Sequence, residues 1–448
     1  MDDTIAAIST AQGVGAISII RVSGPKAFEI VSKIFSNKKF KEAPSHTIHY
    51  GFIVDNGKKI DEVLVSKMCA PKTFTCEDVA EINAHGGIMT TNEILELLLV
   101  NGCRLAEPGE FTKRAFLNGR IDLTEAEGIM DLINSKTDKA REMALNQVSG
   151  EVSNLIRDLR DDLAGIISNI EVNIDYPEYE DTPVMTNKKV KESLGVLEAK
   201  IKNILEKSNE GEIVKNGIKT VIAGKPNVGK SSLLNRLLGE DRAIVTDVQG
   251  TTRDSIEASI VIDNIILNLI DTAGIRETSD TVESIGVSKS LNLIDQADLV
   301  LFVLNYNEEI TADEKKILAK IKDKNHIIVV NKIDLDKKLD TSLLDNPIYI
   351  SIKDNKNIDE IKERIKKLFN LEKIETADLT YLTSARSKAI LRQVLASVAD
   401  VRAGIDKYPI DIVEIDLRKI WNLLGDIIGE NYSEELLDEL FSRFCVGK

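Results

Sequence analysis

Residues Gly224-Lys225-Pro226-Asn227-Val228-Gly229-Lys230-Ser231 set two glycines five positions apart and follow the second with Lys-Ser. This spacing demands a strand before the loop, a helix after it, and backbone N–H groups turned onto an anion. The flanks meet that demand. Val221-Ile222-Ala223 is apolar and β-prone, and Ser232-Leu233-Leu234-Asn235 reads as helical. The glycines let N–H groups, among them those of Val228 and Gly229, wrap a β-phosphate. Lys230 is placed to neutralise the β- and γ-phosphates, and the Ser231 hydroxyl to meet Mg2+. A Gly-rich turn ending in a chance Lys-Ser is the plain alternative.

Three further motifs decide against that alternative. Asp271-Thr272-Ala273-Gly274 closes the apolar run Ile265 to Ile270. There Asp271 can hold magnesium through water, and the Gly274 N–H can reach a γ-phosphate. Thr246-Asp247-Val248-Gln249-Gly250-Thr251-Thr252 precedes it, with Thr252 as the second hydroxyl ligand for Mg2+. Asn331-Lys332-Ile333-Asp334 follows the strand Ile327 to Val330. The Asp334 carboxylate can accept both N1–H and the 2-amino group of guanine. Adenine has neither donor and would leave the carboxylate unpaired, which disfavours an ATPase. Ser351-Ile352-Lys353 departs from the usual Ser-Ala-Lys. The purine contact at that place is usually a backbone N–H, so Ile352 is tolerable. Taken in order, these motifs resemble a translation-factor-related GTPase domain.

The hydrolytic machinery departs from the Ras pattern. Where a Gln would orient water, directly after Gly274, this chain has Ile275. An apolar side chain cannot hold water, so another device is required. On the residues alone, Asn227 either caps the loop or offers a neutral oxygen to a cation. In the second case Thr246, Val248 and Thr251 are the co-ligands, and a potassium ion does the work of an arginine finger, worth ~10³–10⁵ in rate. Arg253, Arg276, Glu277, Asp280 and Glu283 are the polar residues near enough in sequence to position water. Most of them read equally well as solvated loop charges.

The rest of the 448-residue chain frames this unit. Residues 1–118 read as mixed α and β, with a strand at Ala16 to Val22, another at Val63 to Val65 and a helix from Thr91 to Val100. From about residue 119 the apolar period becomes helical: Val152, Leu155, Ile156, Leu159, Leu163, Ile166, Ile167 and Ile170 share one face. Pro177 and Pro183 break that helix, and a second runs through Val190, Leu194, Leu197, Ile201 and Leu205. Residues 214–371 alternate short apolar strands with helices, the pattern of a mainly parallel sheet. Helical stripes return at Ile390 to Val401 and Leu436 to Phe444. The expected architecture is an α/β N-terminal domain (1–118) and a helical domain in two parts (119–213 and 372–448). A Ras-like α/β phosphate-loop domain (214–371) is inserted between the two parts.

Bulk chemistry narrows the class. The net charge of −15 argues against a general phosphate-backbone binder. Four cysteines fit neither a zinc site nor a disulfide framework, which suits a reducing cytoplasm. The start Met1-Asp2-Asp3-Thr4 lacks a basic leader, and no apolar run reaches membrane-spanning length.

Two further segments point to one family. They are Glu107-Pro108-Gly109-Glu110-Phe111-Thr112-Lys113-Arg114-Ala115-Phe116-Leu117-Asn118-Gly119-Arg120 and the terminal Phe444-Cys445-Val446-Gly447-Lys448. With Gly250-Thr251-Thr252-Arg253-Asp254 they resemble the MnmE (TrmE) family of tRNA modification GTPases, along essentially the whole chain. The resemblance implies an N-terminal domain that dimerises and binds 5-formyltetrahydrofolate or a related one-carbon folate. It implies a partner flavoprotein, MnmG (GidA), in a heterotetramer that installs a carboxymethylaminomethyl group on the wobble uridine of certain tRNAs. It also implies potassium-dependent G-domain pairing, with Asn227, Thr246, Val248 and Thr251 as K+ ligands. The family's catalytic carboxylate falls on Glu283, with Arg276 nearby. Ser284 departs from the Arg more usual there. Folate contacts fall on Arg21, Glu81, Arg120 and Lys448. Arg120 replaces a common Lys, keeping charge but changing donor geometry. Without the family each of these four reads as a surface charge or a local salt bridge. Cys445 lies in the terminal motif, where a role in the modification chemistry is implied, with Arg443 and Lys448 as neighbouring cations. The competing reading is a GTP-dependent assembly or ribosome-associated factor without folate chemistry.

Overall fold

The computed structural model describes residues 3–175, 187–240, 243–244, 256–262, 264–270, 293–371 and 380–447. The chain divides into two compact units: residues 1–130, 147–199 and 389–448 form the first, and 131–146 with 200–388 the second. The expected boundaries at 214 and 371 fall inside the second unit.

The first unit begins with a six-stranded sheet. Its strands are β1 (Ile5–Ile8), β2 (Gly15–Ser23), β3 (Thr47–Asp55), β4 (Lys58–Met68), β5 (Val79–Gly86) and β6 (Arg104–Leu105), in the order β3-β4-β5-β2-β1-β6. All pairings are antiparallel except β1 with β6. Alternation assigns the faces: Ile20 and Val22, Val63 and Val65, and Ala80 and Ile82 are buried. They pack with residues of α1 (Ala27–Ile34) and α2 (Ile88–Val100), among them Ile30, Val31, Ile94 and Leu98. The odd partners Arg21 and Glu81 therefore emerge on the opposite face, directly across from one another in register.

Helices follow. α3 (Glu110–Leu117) starts at Gly109, whose φ of +68° is left-handed. A Cβ there would lie 2.6 Å from the Phe441 carbonyl, so only glycine fits. α4 (Leu123–Asn134) and α5 (Asp138–Val148) precede α6 (Glu151–Asp175), whose stripe from Val152 through Ile170 is buried as its spacing required. α6 is followed by α7 (Asn187–Asn216). Late in the chain come α11 (Ala385–Gly404), α12 (Ile410–Ile428) and α13 (Glu434–Phe441). α12 buries Val413, Leu417, Ile420, Leu424 and Ile427 and packs along α6. Each such side chain contributes ~1.5–3 kcal/mol of burial.

The second unit is a seven-stranded sheet ordered β13-β12-β11-β7-β10-β9-β8. Its strands are β7 (Ile218–Ala223), β8 (Ala243–Ile244), β9 (Ile256–Ile262), β10 (Ile265–Ile270), β11 (Leu299–Asn305), β12 (His326–Asn331) and β13 (Ile348–Tyr349). β10, β7, β11, β12 and β13 run parallel, and β9 and β8 complete an antiparallel edge. The parallel strands are apolar on both faces, as a sheet covered by helices requires: every residue of β11 is buried. Its helices include α8 (Lys230–Glu240), α9 (Ala312–Ile321) and α10 (Asp359–Leu368). Ala140 and Met143 of α5 also join its core.

Candidate nucleotide site and N-terminal cleft

The loop 224–229 leaves β7 and enters α8, whose first residue is Lys230. Its shape rests on three left-handed residues: Gly224 (φ +148°), Asn227 (φ +62°) and Gly229 (φ +103°). A Cβ on Gly224 would stand 2.4 Å from the Val303 carbonyl, and one on Gly229 2.3 Å from Asn331 Nδ2. Both glycines are therefore required by close approach as well as by torsion. Lys230 Nζ donates to the carbonyls of Gly224 (2.8 Å) and Lys225 (2.6 Å), which aims it into the loop. Burial pushes its pKa down, since only carbonyl dipoles meet the charge among the described residues. An anionic ligand relieves that cost. The Val228 side chain is buried beneath the loop, and Ser231 and Ser232 open the first turn of α8.

The residues expected to read the base converge on the same loop. Asn331, at the end of β12 and only 3% exposed, donates through Nδ2 to the Val228 carbonyl at 2.8 Å. Its Oδ1 accepts the Ile352 N–H at 3.4 Å. Lys332, at φ +66°, donates through Nζ to the Asn227 carbonyl at 2.7 Å. Asp334 is exposed, and its Oδ1 accepts the Ser351 hydroxyl at 2.9 Å. That hydrogen bond leads the influences holding the Asp334 carboxyl below its ordinary value. The result is a pre-oriented carboxylate, charged at neutral pH, of the kind that guanine donors require. Ile352 brings Cδ1 within 3.5 Å of where a Gly229 Cβ would be, so its extra bulk fills the space the glycine leaves.

Asn227 is exposed and holds its left-handed backbone conformation in the middle of the loop. Thr246, Asp247, Val248, Gln249, Gly250, Thr251 and Thr252 lie outside the described residues. So do Asp271, Thr272, Ala273, Gly274, Arg276, Glu283 and Lys448.

A second convergence occurs on the open face of the N-terminal sheet. Arg21 Nε and Nη2 both lie 2.8 Å from Glu81 Oε1. The Arg21 guanidinium sits 5.6 Å from the Phe111 ring centroid and 5.9 Å from that of Phe74, and Arg120 stands 5.0 Å from the Phe74 centroid. Two cations, one carboxylate and two aromatic rings thus share one cleft. The C-terminal segment closes one side. The Gly447 carbonyl accepts from Ser9 Oγ (2.9 Å) and Arg21 Nη1 (3.4 Å). A Cβ on Gly447 would be 2.4 Å from the Ile8 carbonyl. Cys445 is exposed and is tethered through its carbonyl, which accepts the Gly109 N–H at 3.2 Å. Arg443, just past the end of α13, pairs with Glu439 of that helix at 2.8 Å, so its charge is engaged there.

Sequence reasoning missed Phe74, which gives the cleft its aromatic wall, and also missed the support beneath. Arg114 is fully buried. It donates to Glu110 Oε1 (2.9 Å), Asp3 Oδ1 (2.7 Å) and Glu77 Oε1 (3.1 Å). Arg104 makes a second, bidentate contact with Glu110. Burial pushes the Glu110 carboxyl up, but hydrogen bonds from Arg104, the Glu107 N–H and Arg114 outweigh it, and the net shift is downward. The signal was present as Glu110 and Arg114 four apart on one helix.

Similarity to known proteins follows this geometry. A family model described as the GTP-binding protein TrmE N-terminus matches residues 4–120, and one described as the MnmE helical domain matches 123–445. A tRNA modification GTPase MnmE from Geobacillus kaustophilus (strain HTA426) is 50% identical over 458 aligned residues, covering 100% of this chain and 99% of its own. One from Levilactobacillus brevis is 51% identical, covering 100% and 98%. Among solved structures, Era in complex with MgGDPNP and nucleotides of 16S ribosomal RNA is 30% identical over 34% of this chain and 56% of its own, with a TM-score of 0.26.

Proposed function

The chain belongs to the MnmE family of tRNA modification GTPases, and on that premise we propose that its GTP cycle is potassium-activated and drives a folate-dependent step. As a GTP hydrolase acting in tRNA modification it uses GTP and Mg2+. In the proposed cycle it works as a homodimer with the flavoprotein MnmG, forming 5-carboxymethylaminomethyluridine at the tRNA wobble position. A cytoplasmic setting fits this role, and among the described residues no helix is long and apolar enough to cross a membrane. The alternative assembly-factor reading has no observation in its favour.

The observation that supports the folate reading best is that the Arg21–Glu81 pair and Arg120 gather at the Phe74 ring. A carboxylate can accept from a pterin N–H and amino group, a guanidinium can meet a glutamate tail, and the Phe74 ring offers a stacking surface. Glu81, Arg21, Arg120 and Lys448 are the proposed folate contacts. Bound folate supplies the one-carbon unit. The plain salt-bridge reading of Arg21 and Glu81 also holds, since the two side chains pair directly.

For the nucleotide, Lys230 and the loop N–H groups hold the phosphates, Ser231 and Thr252 are the proposed Mg2+ ligands, and Asp334 with the Ile352 N–H reads guanine. Asn227, exposed at a left-handed position of the phosphate loop, is the proposed anchor of K+ together with Thr246, Val248 and Thr251. Glu283 is the proposed catalytic carboxylate. Domain limits at 118, 213 and 371 are proposed with it. The test is mass analysis of wobble uridine in tRNA incubated with this protein, MnmG, GTP, potassium and a one-carbon folate. The modified base is expected in potassium and lost when folate is withheld. Equal GTP turnover in sodium and in potassium would remove the cation from the reading.

A further inference from the structure

We propose that Lys225 is a positioning residue: its tether to the buried Glu314 fixes the phosphate loop and sets how long a guanine nucleotide stays bound. The inference rests on GTP binding by this loop and on none of the potassium or folate chemistry.

Lys225 sits inside the phosphate loop, yet its side chain leaves the loop for the N-terminus of α9. Its Nζ lies 2.9 Å from Glu314 Oε2, 3.5 Å from the Glu309 carbonyl and 3.8 Å from Glu308 Oε2. The Glu314 side chain is only 4% exposed. The same Oε2 accepts the N–H and the hydroxyl of Thr311, each at 2.8 Å. Thr311 and Glu314 form a complete capping box for α9. A capping box works equally well with Gln, so the cap needs no negative charge. A carboxylate this buried is tolerated only beside a cation. Lys225 supplies that cation, which makes the charge of Glu314 a feature of the nucleotide loop more than of the helix.

The tether acts on the peptide that orients Lys230. The Lys225 carbonyl accepts Lys230 Nζ at 2.6 Å and the Gly224 carbonyl accepts it at 2.8 Å. Gly224 itself is wedged against the Val303 carbonyl of β11. The peptide between Gly224 and Lys225 is therefore held at one end by β11 and at the other by Glu314, with Lys230 hung from it. Charge follows the same logic. Two ammonium groups lie within six residues, and Glu314 neutralises one, leaving Lys230 to face the phosphates.

The test uses the full chain loaded with a fluorescent GDP analogue and chased with unlabelled GDP. Lys225→Met and Glu314→Gln are each expected to speed dissociation about fivefold to tenfold, as loss of one charged hydrogen bond does. The double variant is expected to be no faster than the faster single one, because both remove the same interaction. Lys225→Arg is expected to restore slow dissociation. Without nucleotide the thermal midpoint is expected to fall in Lys225→Met, which leaves the Glu314 carboxylate buried without its cation, and to stay near the parent value in the double variant, where Gln keeps the α9 cap and no charge is buried. A Lys225→Met rate within about twofold of the parent, or rates that multiply in the double variant, overturns the proposal. Should Glu314→Gln fail to fold, the Met and Arg variants of Lys225 decide the matter alone.

Discussion

Asn331 donates its side-chain amide to the Val228 carbonyl at 2.8 Å, so the loop proposed to read the base is fastened to the loop proposed to hold the phosphates. Gly229 makes room for that bond, since a Cβ there would fall 2.3 Å from the donating nitrogen. Gly229→Ala is expected to expel the amide and weaken GDP binding by at least about tenfold, read by calorimetry. Asn331→Ala is expected to weaken binding through the same contact, and the double variant to add little.

Asp334 owes its depressed pKa first to the Ser351 hydroxyl. A lowered carboxyl keeps its charge, and with it the proposed guanine contact, as pH falls through the ordinary carboxylate range. Binding is then lost as pH drops through the depressed value. In Ser351→Ala that acid limb is expected to move to higher pH. Titrating GDP affinity between about pH 6 and pH 3 checks the direction. A limb that stays put would remove Ser351 from the role.

Arg114 is surrounded by Asp3, Glu77 and Glu110 and has no exposure of its own. Arg114→Met leaves carboxylates facing one another under α3, and a loss of ~3–5 kcal/mol in stability is expected. Asp3 and Glu110 both titrate below their ordinary values: burial pushes each up, and the hydrogen bonds from Arg104 and Arg114 more than offset it. Their contribution is complete above the unfolded carboxyl range and fades as pH falls through the lowered values. Differential scanning calorimetry across that window is expected to show a steeper acid loss for the parent than for Arg114→Met.

Glu81→Gln is expected to weaken binding of 5-formyltetrahydrofolate by ~10–100-fold while leaving GTP turnover intact, because a neutral amide offers one acceptor where two donors arrive. Isothermal titration with the folate and a GTPase assay on the same sample separate the two effects. Unchanged folate affinity would return Glu81 to a salt-bridge partner of Arg21.

Periodicity and local chemistry made much of this molecule legible. The stripe from Val152 to Ile170 announced α6 because a single buried face repeats with the helical turn. The apolar run Leu299 to Leu304 of β11 was legible because a strand covered on both sides is apolar at nearly every position. The helix α12 was not foreseen, although Val413, Leu417, Ile420, Leu424 and Ile427 share a face. Charged residues such as Glu414, Asp416, Arg418 and Lys419 lie between them and dilute the pattern. For the sites, residues that act through sequence-local backbone, such as Gly224, Gly229 and Lys230, were readable. Phe74 and Glu77 were not, because their partners Arg21, Arg120 and Arg114 are distant in sequence and only the sheet brings them together. Likewise the Lys225–Glu314 pair spans β7 to α9, a pairing that only the strand order creates.

The first unit is assembled from three separate stretches of chain, and the last of them runs from Ala389 to Lys448. During synthesis the nucleotide-holding unit has all of its residues once Lys388 has emerged. The Arg21 cleft still lacks the Gly447 carbonyl that Ser9 and Arg21 grasp, and α6 still lacks α12. Translation therefore imposes an order in which the inserted unit can mature first, while the buried face of α6 waits for its partner. A pause or truncation after Lys388 would leave a competent nucleotide fold carrying an exposed apolar helix, the kind of species that chaperones retain.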